Sequence, residues 1–113
     1  MSALSDQLDD AVSDAQQAVI DAANVGPYTP DLQAKIDAIT AELQSIENNM
    51  LLATQAAIIA ALSGNNDKLK QLNTDIDAYA TGIDHISVTI KKISDTVGIV
   101  VTVLGAVISA GVL

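Results

Sequence analysis

The chain contains no cysteine, tryptophan, phenylalanine or arginine, and only two prolines, among its 113 residues. Without cysteine there are no disulfides and no thiolate metal sites. Without arginine, five lysines are the only fixed cations against 14 acidic residues, a formal net charge of −9 at pH 7. Phosphate backbones are gripped by a cationic footprint, so nucleic acid is not an expected partner. The aromatic residues are Tyr28 and Tyr79 alone, too few to line a substrate pocket, and no small-molecule substrate is evident. The first ten residues, MSALSDQLDD, lack the basic and apolar regions of a secretory signal peptide. The reading favours a membrane-associated protein, or one secreted by a signal-independent route, over a plain cytoplasmic one.

Catalytic chemistry is equally sparse. His85 is the only histidine and stands beside Asp84. A paired Asp and His can orient an imidazole for proton transfer, but successive helical residues do not face each other. No serine or cysteine nucleophile motif accompanies them, and a solvated surface histidine is expected. Asp9-Asp10 and Asp75-x-Asp77 lack the central glycine and the run of oxygen ligands of a calcium loop. No phosphate-cradling glycine motif is present. The expectation is no enzyme, no metal and no cofactor.

What the chain has is apolar residues at helical spacing. They make up 50% of the sequence, almost all Ala, Leu, Ile and Val. Leu4, Leu8, Ala11, Ala15, Ala18 and Ala22 alternate in steps of four and three, one face of an amphipathic helix over 4–24. Gly26-Pro27 ends it, with Gly26 expected as a left-handed C-cap. Thr29-Pro30 opens a second helix over 30–62. Its stripe runs through Leu32, Ile36, Ile39, Leu43, Ile46 and Met50 to Ala53, Ala57 and Ala60. Ser63-Gly64-Asn65-Asn66 reads as a turn. A third stripe, from Leu69 through Leu72, Ile76, Tyr79, Ile83, Ile86, Ile90, Ile93, Val97, Val100 and Leu104 to Val107, keeps the 3-4 alternation throughout. It predicts one long helix over 67–111. A bend at residues 94–98, giving a four-helix bundle, is the alternative. The fold class is therefore all-α, a single antiparallel three-helix domain with a long third helix.

Two uncharged stretches carry the functional expectation. From Thr96 to Leu113 there is no ionisable side chain. Those 18 residues would reach about 27 Å as helix, the lower edge of a bilayer core, and Lys91-Lys92 precede them as a basic flank. Gly105/Ser109 and Ala106/Ala110 are small pairs at helical spacing, which let helices approach closely in lipid or in a dry bundle. In a straight third helix this tail projects past the first loop. At the hairpin tip, Leu51, Leu52, Ile58 and Ile59 fall opposite the expected seam. An unpartnered apolar face of this kind marks an interface or a membrane contact. The candidate surface is therefore Leu51, Leu52, Ile58, Ile59, Ile99, Val101, Val103, Gly105, Ile108 and Ser109. The expected partners are membrane lipid, further copies of the chain, or both. This organisation, acidic amphipathic helices with embedded apolar runs, is similar to that of several unrelated helical pore-formers. The function expected is non-enzymatic membrane association or insertion through the C-terminal segment, with a soluble self-assembling or partner-binding bundle as the alternative.

Overall fold

The computed structural model describes residues 3–113, which form four α-helices. They are α1 (Ala3–Ala22), α2 (Pro30–Asn49), α3 (Gln55–Asp77) and α4 (His85–Ala110). Consecutive helices pack on one another and α4 closes the ring against α1, while the diagonal pairs make no close backbone approach. This is an up-down-up-down bundle, 43 × 22 × 20 Å. One end gathers the start of α1, the α2–α3 connection and the end of α4. The other carries the α1–α2 and α3–α4 connections.

The all-α class stands, but the three-helix count and the break positions are corrected. The second helix stops at Asn49, and Thr54 starts the next one by accepting a hydrogen bond from the Ala57 N–H at 3.2 Å. The stripe expected through Ala53, Ala57 and Ala60 does not exist, and all three are exposed. The tetrad Ser63-Gly64-Asn65-Asn66 is not a turn but lies within α3. Interhelical bonds offset its poor propensity: Asn65 accepts from Asn49 at 2.8 Å and donates to Glu42 at 2.6 Å and to Ser45 at 3.2 Å. The long third helix is broken at residues 78–84, where Asp84 accepts from the Ser87 N–H at 2.9 Å as the N-cap of α4. Gly82 permits this close loop, since a Cβ there would sit 2.7 Å from the Ser87 hydroxyl. Tyr79 and Ile83, expected on the seam, are in the connection, and Ile83 is 98% exposed. No break occurs at 94–98.

The helix ends show two further departures. Gly26 is not left-handed; it joins Pro27 through a cis peptide bond, and the Tyr28 hydroxyl donates to the carbonyl of Ala22 at the end of α1. The left-handed C-cap is Gly111, with φ 72°, closing α4.

The core contains most of the expected stripes. Leu8, Ala11, Ala15, Ala18 and Ala22 of α1 and Leu32, Ile36, Ile39, Leu43 and Ile46 of α2 are buried. So are Leu69 and Ile76 of α3 and Ile90, Ile93, Val97, Val100, Leu104 and Val107 of α4. Because α4 starts at His85, its apolar end lies alongside α1 and α3 and does not project. The Leu113 N–H donates to Gln55 at 3.0 Å, docking the chain end on the start of α3.

This placement generates two predictions. Val97, Val100, Leu104 and Val107 are fully buried, and their burial contributes roughly 6–12 kcal/mol. That is comparable to the whole stability of a domain, about 5–15 kcal/mol. A chain ending at Asp95 is therefore expected to show no cooperative thermal transition by circular dichroism. Secondly, Asn65→Ala leaves Glu42, Ser45 and Asn49 short of partners and is expected to cost about 1–3 kcal/mol. By contrast, the buried Asn66 side-chain oxygen has no hydrogen-bond partner, so Asn66→Leu should cost less than Asn65→Ala or stabilise the fold. Urea titrations of both variants check this ranking.

Candidate functional site

Asp84 and His85, the one pair suggestive of proton chemistry, sit at the start of α4. Asp84 is engaged in capping, accepting from both the backbone N–H and, at 3.2 Å, the hydroxyl of Ser87. The Ser87 N–H bond is the leading reason its carboxyl is held below the usual range. His85 is exposed at the first helical position. Among the described residues no group of three or more His, Asp or Glu side chains is placed to hold a metal ion.

The apolar candidates assemble differently. The two uncharged stretches of the sequence, residues 48–66 and 96–113, become neighbours because α3 and α4 are antiparallel. The first half of α3 faces water with Ala56, Ala57, Ala60 and Gly64. Beside it α4 shows Ile99, Thr102, Ala106, Ser109 and Ala110, with Val101, Val103, Gly105 and Ile108 half-buried at its edges. Ile99 is 55% exposed. At the adjoining end of the bundle, Leu51 is 84% and Val112 53% exposed, and Leu52 is also exposed. The result is a charge-free wall of two helices with an apolar corner.

Of the ten candidate residues, the structure thus places Leu51, Leu52, Ile99 and Ser109 in water and Ile59, Val101, Val103, Gly105 and Ile108 at half depth. Ile58 is corrected: it is buried in the core, near Leu62 on the inner face of α3. Ending α2 before Met50 resets the helical phase, which turns Ile58 inward and leaves Leu51 and Leu52 in the connection.

Helix α4 is the one described helix long and apolar enough to cross a membrane, with a mean hydropathy of 1.9 over its most apolar window. Only 33% of that window is buried within the bundle. A core helix of a small bundle normally keeps a polar outer face; α4 beyond Asp95 has none that is charged.

Charge is distributed unequally around the bundle. Helices α1 and α2 carry nine carboxylates and a single lysine, Lys35. Lys35 turns to α3, where it donates to Asp75 at 3.2 Å. Lys92 approaches Asp21 of α1 at 3.8 Å, and Lys91 approaches Asp95 at 4.0 Å. The basic flank of the apolar segment is thus paired within the bundle. One further contact pins α4, from the Ser94 hydroxyl to Asp77 of α3. The Lys91–Asp95 and Lys92–Asp21 pairs are largely exposed; such pairs contribute little to stability and are screened by salt.

The pattern reading missed the α2–α3 amide cluster and the second buried, unpartnered amide oxygen on α3, that of Asn73. The signal for the cluster was the spacing of Asn65 between Leu62 and Leu69 on one helical face. No family model, curated protein or solved structure matches this chain.

The two shifted carboxyls give a pH prediction. The lysine of Lys35, then Gln71, hold Asp75 low, and the Ser87 N–H holds Asp84 low. Groups with depressed folded-state values contribute stability above the ordinary carboxylate pKa of about 4. That contribution is lost as pH falls through the lower folded value. The double variant Asp75→Asn/Asp84→Asn, which keeps an amide cap, should lose less stability than the parent between pH 6 and pH 3. Thermal melts at stepped pH measure the difference.

Proposed function

We propose that this chain is a non-enzymatic helical protein that associates with membranes through its charge-free C-terminal helix. One observation carries the reading: from residue 96 onward α4 presents no charge on any side, including the side turned to water. The neighbouring half of α3 and the Leu51–Leu52 corner extend that surface. The acidic α1–α2 side keeps the molecule soluble and faces away from the lipid.

Magnitudes separate docking from insertion. Moving the outer parts of Ile99, Val101, Val103, Ile108, Leu51 and Leu52 out of water favours docking by several kcal/mol, at about 25 cal/mol per Å² of apolar area. That requires no rearrangement. Inserting α4 requires its release from α1 and α3, which uncovers the core stripe and opposes the step by most of the fold's stability, about 5–15 kcal/mol. The lipid then has to recover this by enclosing a 26-residue helix, roughly 39 Å long against a core of about 30 Å. Docking on the surface of the bilayer is the state that the folded bundle supports.

The alternative reading is a soluble bundle that self-assembles or binds a partner through the same wall. It is favoured by the outward Ala106, Ser109 and Ala110 beside the half-buried Gly105, which allow another helix to approach closely.

Flotation with zwitterionic vesicles, together with light scattering after size exclusion, tests the two. The expected result is a monomer that floats with vesicles. Ile99→Lys/Leu51→Lys should weaken binding by about tenfold or more while leaving the melting temperature nearly unchanged, since both side chains are largely in water. Anionic vesicles should bind less well at low salt, because the chain carries a formal net charge of −9. A stable oligomer without lipid affinity would transfer the surface to the alternative reading.

A further inference from the structure

Helix α1 is not centred between its neighbours. It packs most extensively on α4 and least on α2. Its buried face carries Ala11, Ala15, Ala18 and Ala22 with Leu8 and Val12. The α2 side is left open. Two hollows of about 330 and 210 Å³ lie along it and share Val19 and Thr40, so they adjoin along the groove between α1 and α2. Its apolar lining is the exposed Ile20 and the half-buried Val19 over the buried Ile36 and Leu43. Ile20 is 58% exposed although it is a large aliphatic side chain within a helix. Along α2 the lining extends from Gln33 to Leu43, roughly 15 Å at the helical rise. That length receives the anchors of two to three turns of a docked helix.

We infer that the groove between α1 and α2 is a docking site for a cationic amphipathic helix of a partner protein. Charge selects this occupant. Asp37 lines the groove, and Glu47, held by the Gln16 amide, stands beyond its Leu43 end. The two helices that form it hold nine carboxylates, and no lysine lines it. A helix with an apolar stripe flanked by lysines or arginines matches both floor and rim, and the acidic field accelerates its encounter. A second copy fits poorly. The most apolar outer surface of this chain, on α4 beyond Asp95, carries no charge to pair with the rim. A bilayer fits poorly as well, because the groove is concave and acidic. The site lies on the opposite side of the bundle from the charge-free α3–α4 wall, and its test does not depend on lipid binding.

The experiment uses the full chain and a fluorescein-labelled, helix-forming peptide with leucine at i, i+3 and i+7 and lysine elsewhere. A second peptide has glutamate in place of lysine. Anisotropy is expected to show saturable binding of the lysine peptide only, weakening as salt rises. Ile20→Gln removes an anchor contact, and Asp37→Lys/Glu47→Lys reverses the rim. Each is expected to weaken binding by about tenfold or more with an unchanged melting temperature. Amide shifts in a two-dimensional NMR spectrum should concentrate on residues 16–23 and 33–43. No binding, equal binding of the glutamate peptide, shifts confined to α3 and α4, or full affinity in both variants would each overturn the inference. So would a dimer of the chain that Ile20→Gln dissolves, because the occupant would then be a second copy.

Discussion

The structure depends on the burial of one stripe. Ile90, Ile93, Val97, Val100, Leu104 and Val107 of α4 are all fully removed from water, and α1 and α3 pack on either side of the helix that carries them. The buried face of α1 carries Ala11, Ala15, Ala18 and Ala22 with Leu8 and Val12; the alanines contribute little apolar area themselves but permit a close approach. Helix α3 contributes the larger Leu62, Leu69 and Ile76. Helix α1 packs more extensively on α4 than on α2, and hollows remain along the α1–α2 side.

The same helix is asked to be apolar outside as well as inside. Within a water-soluble bundle this is a local inconsistency, since the outer face of a helix ordinarily carries the charge that keeps the molecule dispersed. Here charge is segregated instead. The α1–α2 pair holds most of the carboxylates, whereas the first half of α3 and the last part of α4 hold none. Departures of this kind from a consistent local pattern concentrate at functional surfaces. The proposed membrane contact and the proposed peptide groove are the two sides of this single asymmetry, one defined by missing charge and the other by unbalanced charge.

Buried amides add a second layer of specification. The Asn49–Asn65–Glu42–Ser45 cluster fixes α2 against α3 through directional bonds, which a purely aliphatic seam would not supply. Asn66 and Asn73 lie one heptad apart on the same helix with unpartnered oxygens. Such atoms oppose folding, so the α3 packing surface is less favourable than its leucines alone suggest.

The sequence by itself determined the helical class, the inner faces of α1, α2 and α4, the Thr29–Pro30 start of α2 and the charge-free end. These follow from 3-4 periodicity, side-chain charge and local capping geometry, all of which are short-range properties. Periodicity could not locate the breaks. The α3–α4 connection, Ala78 to Asp84, is seven residues long, one full heptad, so the 3-4 pattern passes through it without a slip even though the chain reverses direction there. Thr54 and Asp84 are of the residue types that cap helices, but the competing signal at Ser63–Asn66 is locally stronger. Only tertiary structure decides between them, because the polar partners that keep Asn65 inside a helix belong to α2 and are distant in sequence. The same dependence decided the depth of Ile58 and the exposure of Tyr79 and Ile83. It also decided that the apolar end packs along the bundle, since a helix that starts at His85, after the chain has reversed direction, runs back beside α1 and α3.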